Sequence, residues 1–326
     1  MRDHGGNLDW ARARWGGAAG DWIDLSTGIN ARPYPVPKIP TRAWSALPTR
    51  SDTGALAEAA ARAYGTGATA VPLAGAQAAI QIVPRLRPPG TARVLGPTYN
   101  EHAAALRAAG WQVEECGHAG ALAGADLAVV VNPNNPDGRV HAPGDLLALA
   151  RDTGLLVVDE SFADPTPEVS VAPALGPDDD RLLVLRSFGK FYGLAGLRLG
   201  FAVTGTRLAE RIAEAAGPWA ASGPAISIGQ AALGDTAWRR ETSRRLAGEA
   251  ARLDALAARA GWSLVGGTTL FRTYETGNAE ATRSRLAEAR IWTRSFPYSK
   301  GWLRLGLPGS DAVWTRLEKA LAGERE

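Results

Sequence analysis

Seven short apolar runs, separated by segments of helical periodicity, constrain this fold more than any other feature. They lie at residues 71–73, 93–95, 111–113, 127–131, 155–159, 182–186 and 199–203, after a helical stretch at 53–64. Runs this short and rich in Val and Leu suit buried strands. Amphipathic helices between successive strands then carry the chain back across the sheet, so the sheet is expected to be mainly parallel and covered on both faces. The expected fold class is α/β.

With 326 residues, the chain has room for a second, smaller domain beside such a core. The pattern changes accordingly after Pro224. A long Ala- and Arg-rich helical region runs to about Ala260, with Leu246, Leu253 and Leu256 at helical spacing. Strand candidates at 263–265, 270–273, 291–293 and 303–305 follow, then a C-terminal helix, which together read as α+β. The expected division is an N-terminal segment (1–47) joining the small domain and the substrate site, a large domain (48–217) and a small domain (218–326). Neither an internal repeat nor a low-complexity linker interrupts it.

Composition excludes several function classes. Charged residues make up 21% and hydrophobic ones 45%, ordinary globular values. A net charge of only +3, with arginines scattered and not interleaved with aromatics, argues against a nucleic-acid partner. Cys116 is the single cysteine, which rules out an intrachain disulfide and a thiolate metal cluster; no metal site is expected. No run approaches the roughly 18 to 20 apolar residues of a membrane span, and the first twenty residues lack a signal-peptide core. A cytoplasmic enzyme with no membrane partner is the expectation.

The residues that carry chemistry cluster at the ends of the apolar runs. Lys190 lies in Ser187-Phe188-Gly189-Lys190-Phe191-Tyr192-Gly193, just after a strand, in a Gly-containing loop and among aromatics. Burial there would lower the lysine pKa and free its amine as a nucleophile. It is one of only four lysines, with Lys38, Lys300 and Lys319, and lysine is the basic side chain able to form an imine. Asn135 follows the strand at 127–131 within Asn132-Pro133-Asn134-Asn135-Pro136-Asp137-Gly138, and Asp159 ends the strand at 155–159. Gly75-Ala76-Gln77 leaves the first strand and opens a helix, where backbone N–H groups could hold an anion.

In this order and spacing the segments resemble those of fold-type I pyridoxal-phosphate (PLP) enzymes: Ser-x-x-Lys with an arginine eight residues on, here Arg198, an Asn-Pro-x-x-Pro-x-Gly loop, and a strand-end aspartate. The resemblance implies a large PLP-binding sheet domain with a small α+β domain, and PLP held as a Schiff base by Lys190. It implies that Asp159 keeps the pyridine nitrogen protonated. It places Asn135 on the phenolic oxygen, and Gly75, Ala76, Gln77, Ser187 and Arg198 around the cofactor phosphate. Tyr99 would stack on the ring. Tyr64 would reach the neighbouring subunit's cofactor phosphate, which implies a homodimer. Phe162 departs from the pattern, because many aminotransferases of this fold carry tyrosine at that position. Phenylalanine packs but cannot donate, leaving Asn135 as the principal donor.

The chain's start narrows the resemblance. His4-Gly5-Gly6-Asn7, then Asp24-Leu25-Ser26-Thr27-Gly28-Ile29-Asn30, then Arg294 and Arg304, are similar to threonine-phosphate decarboxylases of cobalamin biosynthesis, and the similarity covers nearly the whole chain. In that family His4, Gly5, Gly6, Asn30 and Arg294 would surround a substrate phosphate and Arg304 would hold the α-carboxylate, with Asn135 also facing substrate. A second anion site, distinct from the cofactor's, implies a phosphorylated amino acid as substrate. The expected reaction is PLP-dependent decarboxylation of L-threonine O-3-phosphate to (R)-1-amino-2-propanol O-2-phosphate. Two alternatives stand beside it: a histidinol-phosphate-like aminotransferase, against which Phe162 and the His-Gly-Gly-Asn opening count, and a non-catalytic binding protein, against which the joint presence of Lys190, Asp159, Asn135 and Arg198 counts.

Overall fold

The structure is a computed structural model that describes residues 4–323. Each of the seven apolar runs forms a strand, and the seven make one sheet in the order Thr69–Leu73, Gly200–Thr204, Leu182–Ser187, Leu156–Asp159, Leu127–Val131, Thr91–Leu95, Gln112–Cys116. Gly200–Thr204 runs antiparallel to both its neighbours, and the other four pairings are parallel. Leu127–Val131 and Leu156–Asp159 are buried at every position, as central strands covered on both faces must be. Ile80, Leu106 and Ile212 join Val129, Val157 and Leu185 in one apolar core, so helices Ala76–Ile82, Glu101–Ala108 and Thr206–Ala216 supply part of its cover.

Helix Arg50–Tyr64 shows how local sequence sets an element. Thr49 and Asp52 form a reciprocal capping box, and the helix stops at Gly65 in the left-handed region (φ 66°). Its buried stripe, Leu56, Ala60 and Tyr64, recurs every four residues.

The chain divides into two compact units. The larger comprises Tyr34–Asn135 and Arg139–Arg240 and contains the seven-stranded sheet. Its limits differ from the expected 48 and 217. Helix Gly223–Gly234 is apolar almost all round and packs against Arg50–Tyr64, so closely that a Cβ on Gly229 would come within 2.8 Å of Leu56. At the other end, the Tyr34 N–H bonds the Tyr192 carbonyl (2.8 Å) and its ring meets Tyr192 and Trp238 edge-on. Residues 34–47 and 218–240 therefore go with the large sheet.

Of the described residues, the smaller unit takes those up to Pro33, Pro136–Gly138 and those from Glu241 onward. Its antiparallel sheet has the order Arg294–Phe296, Ser299–Gly306, Phe271–Glu275, Ser263–Thr268. The strand expected at 291–293 is shorter and pairs elsewhere: Ile291–Trp292 runs parallel to Ile23–Asp24. Next to that pairing, Trp10, Trp15 and Trp22 all pack on Trp292, at centroid separations of 5.5 to 6.5 Å. This aromatic cluster seats the N-terminal helix Leu8–Trp15 on its own unit. Among the described residues, no helix is long and apolar enough to cross a membrane, and no cluster of His, Cys, Asp and Glu could hold a metal ion.

Candidate active site

In the larger unit, the parallel strands Thr91–Leu95, Leu127–Val131, Leu156–Asp159 and Leu182–Ser187 all point their carboxyl ends to the same edge of the sheet. The chain visits Gln112–Cys116 on one side of Thr91–Leu95 before crossing to Leu127–Val131 on the other. Open parallel sheets place their sites at such a reversal, beyond the strand ends. Here the two loops leaving the reversal are tied together: Thr98 Oγ1 donates to Asn134 Oδ1 (2.6 Å) and Asn134 Nδ2 to the Pro97 carbonyl (3.0 Å). Asn132 anchors the same loop from behind, accepting from the His141 N–H (2.8 Å) and donating to the His141 and Val169 carbonyls. Asn135, buried and next in the chain, stands on a braced backbone.

Asp159, 3% exposed, ends its strand with both carboxylate oxygens engaged. Oδ1 accepts from the Ser161 N–H (2.9 Å) and hydroxyl (2.5 Å), and Oδ2 lies 2.9 Å from His102 Nε2. Burial pushes the Asp159 carboxyl up, but the bonds from His102 and Ser161 outweigh it and hold it below the usual carboxylate value. A carboxylate has about four acceptor positions, and these contacts take three, so the arrangement suits a further donor such as a pyridinium N–H. Sequence reading did not find His102. The available signal was its place, three residues after Tyr99, beside a second buried polar residue, Glu101, in the first turn of an Ala-rich helix.

Tyr99 is held from its far end. Its hydroxyl donates to Gln77 Oε1 (3.2 Å), Gln77 Nε2 donates to Glu101 Oε2 (3.2 Å), and the ring meets His102 edge-on at 6.2 Å. The Gln77 side chain thus braces the aromatic ring, apart from the backbone N–H role expected of this residue. Lys190 sits in the short helix Phe188–Phe191, half-buried where deeper burial was expected, with Nζ 5.7 Å from the centroid of the buried Phe162 ring.

The segments expected to form the phosphate cup converge. Gly75 caps helix Ala76–Ile82 at φ 85°, a backbone conformation that favours glycine, and the Arg198 guanidinium comes within 2.8 Å of where a Cβ would stand. Gly200 pairs with Ser187 across the sheet and packs so tightly on Ala76 N that a side chain would collide with it. Backbone N–H groups at a helix start beside a guanidinium suit a phosphate dianion, an ionised Asp159 suits a protonated ring nitrogen, Tyr99 offers a flat face and Lys190 an amine. This donor set fits PLP.

Tyr64 is a correction. It is 6% exposed, its ring lies edge-on to Phe201 (5.8 Å), and the Arg186 guanidinium sits 4.3 Å above it. Its place on the Leu56–Ala60 stripe turns it into its own core, so it does not extend toward a neighbouring subunit. Arg186 in turn binds Glu160 (2.8 Å) and Asp164 (2.5 Å) out of contact with water.

The smaller unit carries a second cationic cluster. Arg294 and Arg304 are direct cross-strand partners, so their side chains share one face of the sheet. Like charges so placed repel, and an anion between them relieves the repulsion. Arg304 Nη2 donates to the Ser26 carbonyl (2.6 Å), the Gly6 N–H donates to Ser26 Oγ (2.7 Å), and that hydroxyl donates to Asp24 Oδ1 (2.5 Å). A Cβ on Gly5 would strike the Ser26 carbonyl, so the glycine permits this approach. Ser26 thereby joins the Gly5–Gly6 turn, at whose start His4 lies exposed, to Arg304. Asn30 is 2% exposed on the same segment, and its Oδ1 accepts from Arg32 N (3.1 Å) and Arg245 Nη2 (3.0 Å). Sequence reading missed Ser26, Asp24 and Arg245. The Asp-x-Ser turn was the available signal for the first two.

The model of the family Aminotransferase class I and II matches residues 41–321. A threonine-phosphate decarboxylase of Pseudomonas aeruginosa is 46% identical, with 100% of this chain and 99% of that protein covered. Another, from Sinorhizobium sp, is also 46% identical, over 98% of this chain and 97% of that protein. The crystal structure of histidinol-phosphate aminotransferase from Sinorhizobium meliloti in complex with pyridoxal-5'-phosphate superimposes with a TM-score of 0.79 at 20% identity, covering 97% of this chain and 93% of that one, and supports the fold alone. The chain belongs to the aminotransferase class I and II family, and within it is similar from end to end to threonine-phosphate decarboxylases.

Proposed function

We propose that this chain is a PLP-dependent lyase that decarboxylates L-threonine O-3-phosphate to (R)-1-amino-2-propanol O-2-phosphate in cobalamin biosynthesis. The observation that carries the reading is the directly opposed cationic pair Arg294 and Arg304, suited to an anion, in a chain 46% identical over its length to a threonine-phosphate decarboxylase.

When bound, the cofactor supplies an electron sink conjugated to the substrate's α-carbon. The protein supplies the rest. Lys190 would carry the cofactor, and its amine could move a proton at Cα. Asp159, kept ionised by His102 and Ser161, holds a negative charge for the ring nitrogen. Arg198, Ser187 and the Gly75–Ala76 backbone would take the cofactor phosphate, Tyr99 would pack on the ring, Asn135 would donate to the phenolic oxygen, and Phe162 would keep water from it. Arg304 takes the α-carboxylate, and Arg294, Asn30, His4 and the Gly5–Gly6 backbone take the substrate phosphate. Reaction type depends on which α-carbon bond stands perpendicular to the ring. Anchoring two anions on one small molecule would limit that rotation.

The assembly we assign is a homodimer. On the larger unit Val36, Trp44, Leu47 and Trp219 are all more than half exposed, with Trp44 at 68% and Leu47 at 63%, and a second copy would remove these large apolar side chains from water. The setting is cytoplasmic, with a small phosphorylated amino acid as the substrate and neither nucleic acid nor membrane as partner.

The test is to incubate the PLP-loaded protein with L-threonine O-3-phosphate and assay released carbon dioxide together with the cofactor spectrum. Carbon dioxide and an amino-alcohol phosphate are expected. Pyridoxamine phosphate and a keto acid without carbon dioxide would favour an aminotransferase, and no chemistry at all a non-catalytic protein.

A further inference from the structure

We infer that Ser26 is a positioning residue that sets the spacing between two substrate anchors of the smaller unit, the Gly5–Gly6 turn and Arg304, an inference that rests on the function proposed above. Ser26 is 1% exposed, and it holds one anchor with its side chain and the other with its backbone. Its Oγ accepts from the Gly6 N–H (2.7 Å), and its carbonyl accepts from Arg304 Nη2 (2.6 Å). The Ser26 N–H and hydroxyl both donate to Asp24 Oδ1, at 2.8 and 2.5 Å. A hydroxyl can turn its single proton either way, whereas a carboxylate only accepts. Asp24 therefore takes the proton, and the Ser26 oxygen presents a lone pair to the Gly6 N–H.

The segment that carries Ser26 is pinned on both sides. Ile23–Asp24 pairs with Ile291–Trp292, the Leu25 N–H continues that pairing onto the Trp292 carbonyl (2.8 Å), and the Leu25 carbonyl accepts from the Gly306 N–H (2.7 Å). On the far side of Ser26, Thr27 packs so closely on Gly306 that a Cβ there would strike the Thr27 carbonyl. Gly306 ends the strand that carries Arg304, so the post and the arginine belong to one rigid piece. The turn has no such stiffness of its own. It contains two glycines, with Gly6 at φ 85°, and glycine loses more freedom on ordering than any other residue. From the chain's forward side the Leu8 N–H holds the Gly6 carbonyl (3.0 Å) at the start of helix Leu8–Trp15. From the strand side the hold is the Ser26 hydroxyl. A substrate that binds the turn through its phosphate and Arg304 through its α-carboxylate spans a distance that Ser26 fixes, and so meets both anchors without first having to order the turn.

The test separates latch from function. Ser26→Ala removes the hydroxyl and keeps the carbonyl on which Arg304 rests. In PLP-loaded protein, exchange of the Gly6 amide hydrogen should quicken about tenfold, the scale of one lost hydrogen bond, with PLP content unchanged. With L-threonine O-3-phosphate, KM should rise about tenfold and kcat should change little, because the loss falls on holding substrate and not on the chemical step. Asp24→Ala should move both readouts the same way. Asp24→Asn, whose amide oxygen also accepts, should keep both near wild type. Unchanged Gly6 exchange in Ser26→Ala overturns the latch, and a fall confined to kcat overturns the positioning role. Wild-type turnover with an unmoved KM in Ser26→Ala overturns the role of Ser26 alone. A wild-type protein that releases no carbon dioxide from this substrate overturns the proposed function and this inference with it.

Discussion

His102 Nε2 stands 2.9 Å from Asp159 Oδ2, with both side chains almost wholly out of water. The next residue, Glu160, is buried as deeply, yet the two carboxyls shift in opposite directions. For Asp159, burial is overcome by the bonds from His102 and Ser161; for Glu160, burial prevails over Arg186, Ser170 and Val171 and raises the pKa. Each carboxyl receives three hydrogen bonds, so the direction of each shift is the balance struck between burial and that carboxyl's own partners.

Replacing Asp159 by Asn should lower kcat by about 100-fold or more with little change in KM at saturating PLP, because the charge acts on the electron sink and not on substrate. His102→Leu should cost about tenfold, since Ser161 still donates twice. An effect confined to KM would contradict both roles.

Acid should remove the stability that Asp159 contributes. Its folded pKa lies below the unfolded 3.8, so the contribution is complete above about pH 4 and disappears as pH falls through the folded value. Urea denaturation of PLP-free protein between about pH 6 and pH 3 should show the margin of wild type over Asp159→Asn constant at first and then shrinking. A margin that widens in acid would refute the sign.

Arg186→Leu should destabilise the fold by about 3 to 5 kcal/mol, since Glu160 and Asp164 would be left buried without their cation. Tyr64→Phe should leave PLP affinity unchanged, as the buried ring makes no reach toward a neighbour's cofactor. Loss of a hydrogen bond to a charged phosphate would instead weaken PLP about tenfold or more. Denaturation curves and PLP titration read the two effects.

What could be read from sequence was what lies close in the chain. Buried parallel strands are short runs of apolar residues, so all seven strands were found, and Asp159, Asn135, Gly75 and Lys190 follow strand ends within a few positions. Contacts between distant segments were not readable. His102 and Asp159 are 57 residues apart and Asn30 and Arg245 are 215 apart, and no local pattern joins them. Tyr64 was misjudged although Leu56 and Ala60, eight and four residues earlier, mark its side of the helix as buried. The boundary near 217 failed because helix Gly223–Gly234, apolar on nearly every side, has no polar face to show which unit it covers.

Phe162 offers a test of the cofactor site that does not depend on turnover. The ring is buried, and Lys190 Nζ lies 5.7 Å from its centroid. In Phe162→Tyr a hydroxyl enters a place with little water, where it must find an acceptor or pay the desolvation of a polar group. The phenolic oxygen of bound PLP, beside the Lys190 nitrogen, is the acceptor the proposed site provides. A hydrogen bond to that oxygen stabilises its negative charge and weakens its hold on the proton it shares with the lysine nitrogen, so the proton leaves at lower pH. One such bond of about 1.4 kcal/mol corresponds to about one pH unit. Absorbance titration of PLP-loaded wild type and Phe162→Tyr should therefore show the visible-band midpoint falling by about that amount. If the midpoint holds or rises, the side chain at 162 does not face the phenolic oxygen, and Asn135 has to be reconsidered as its principal donor.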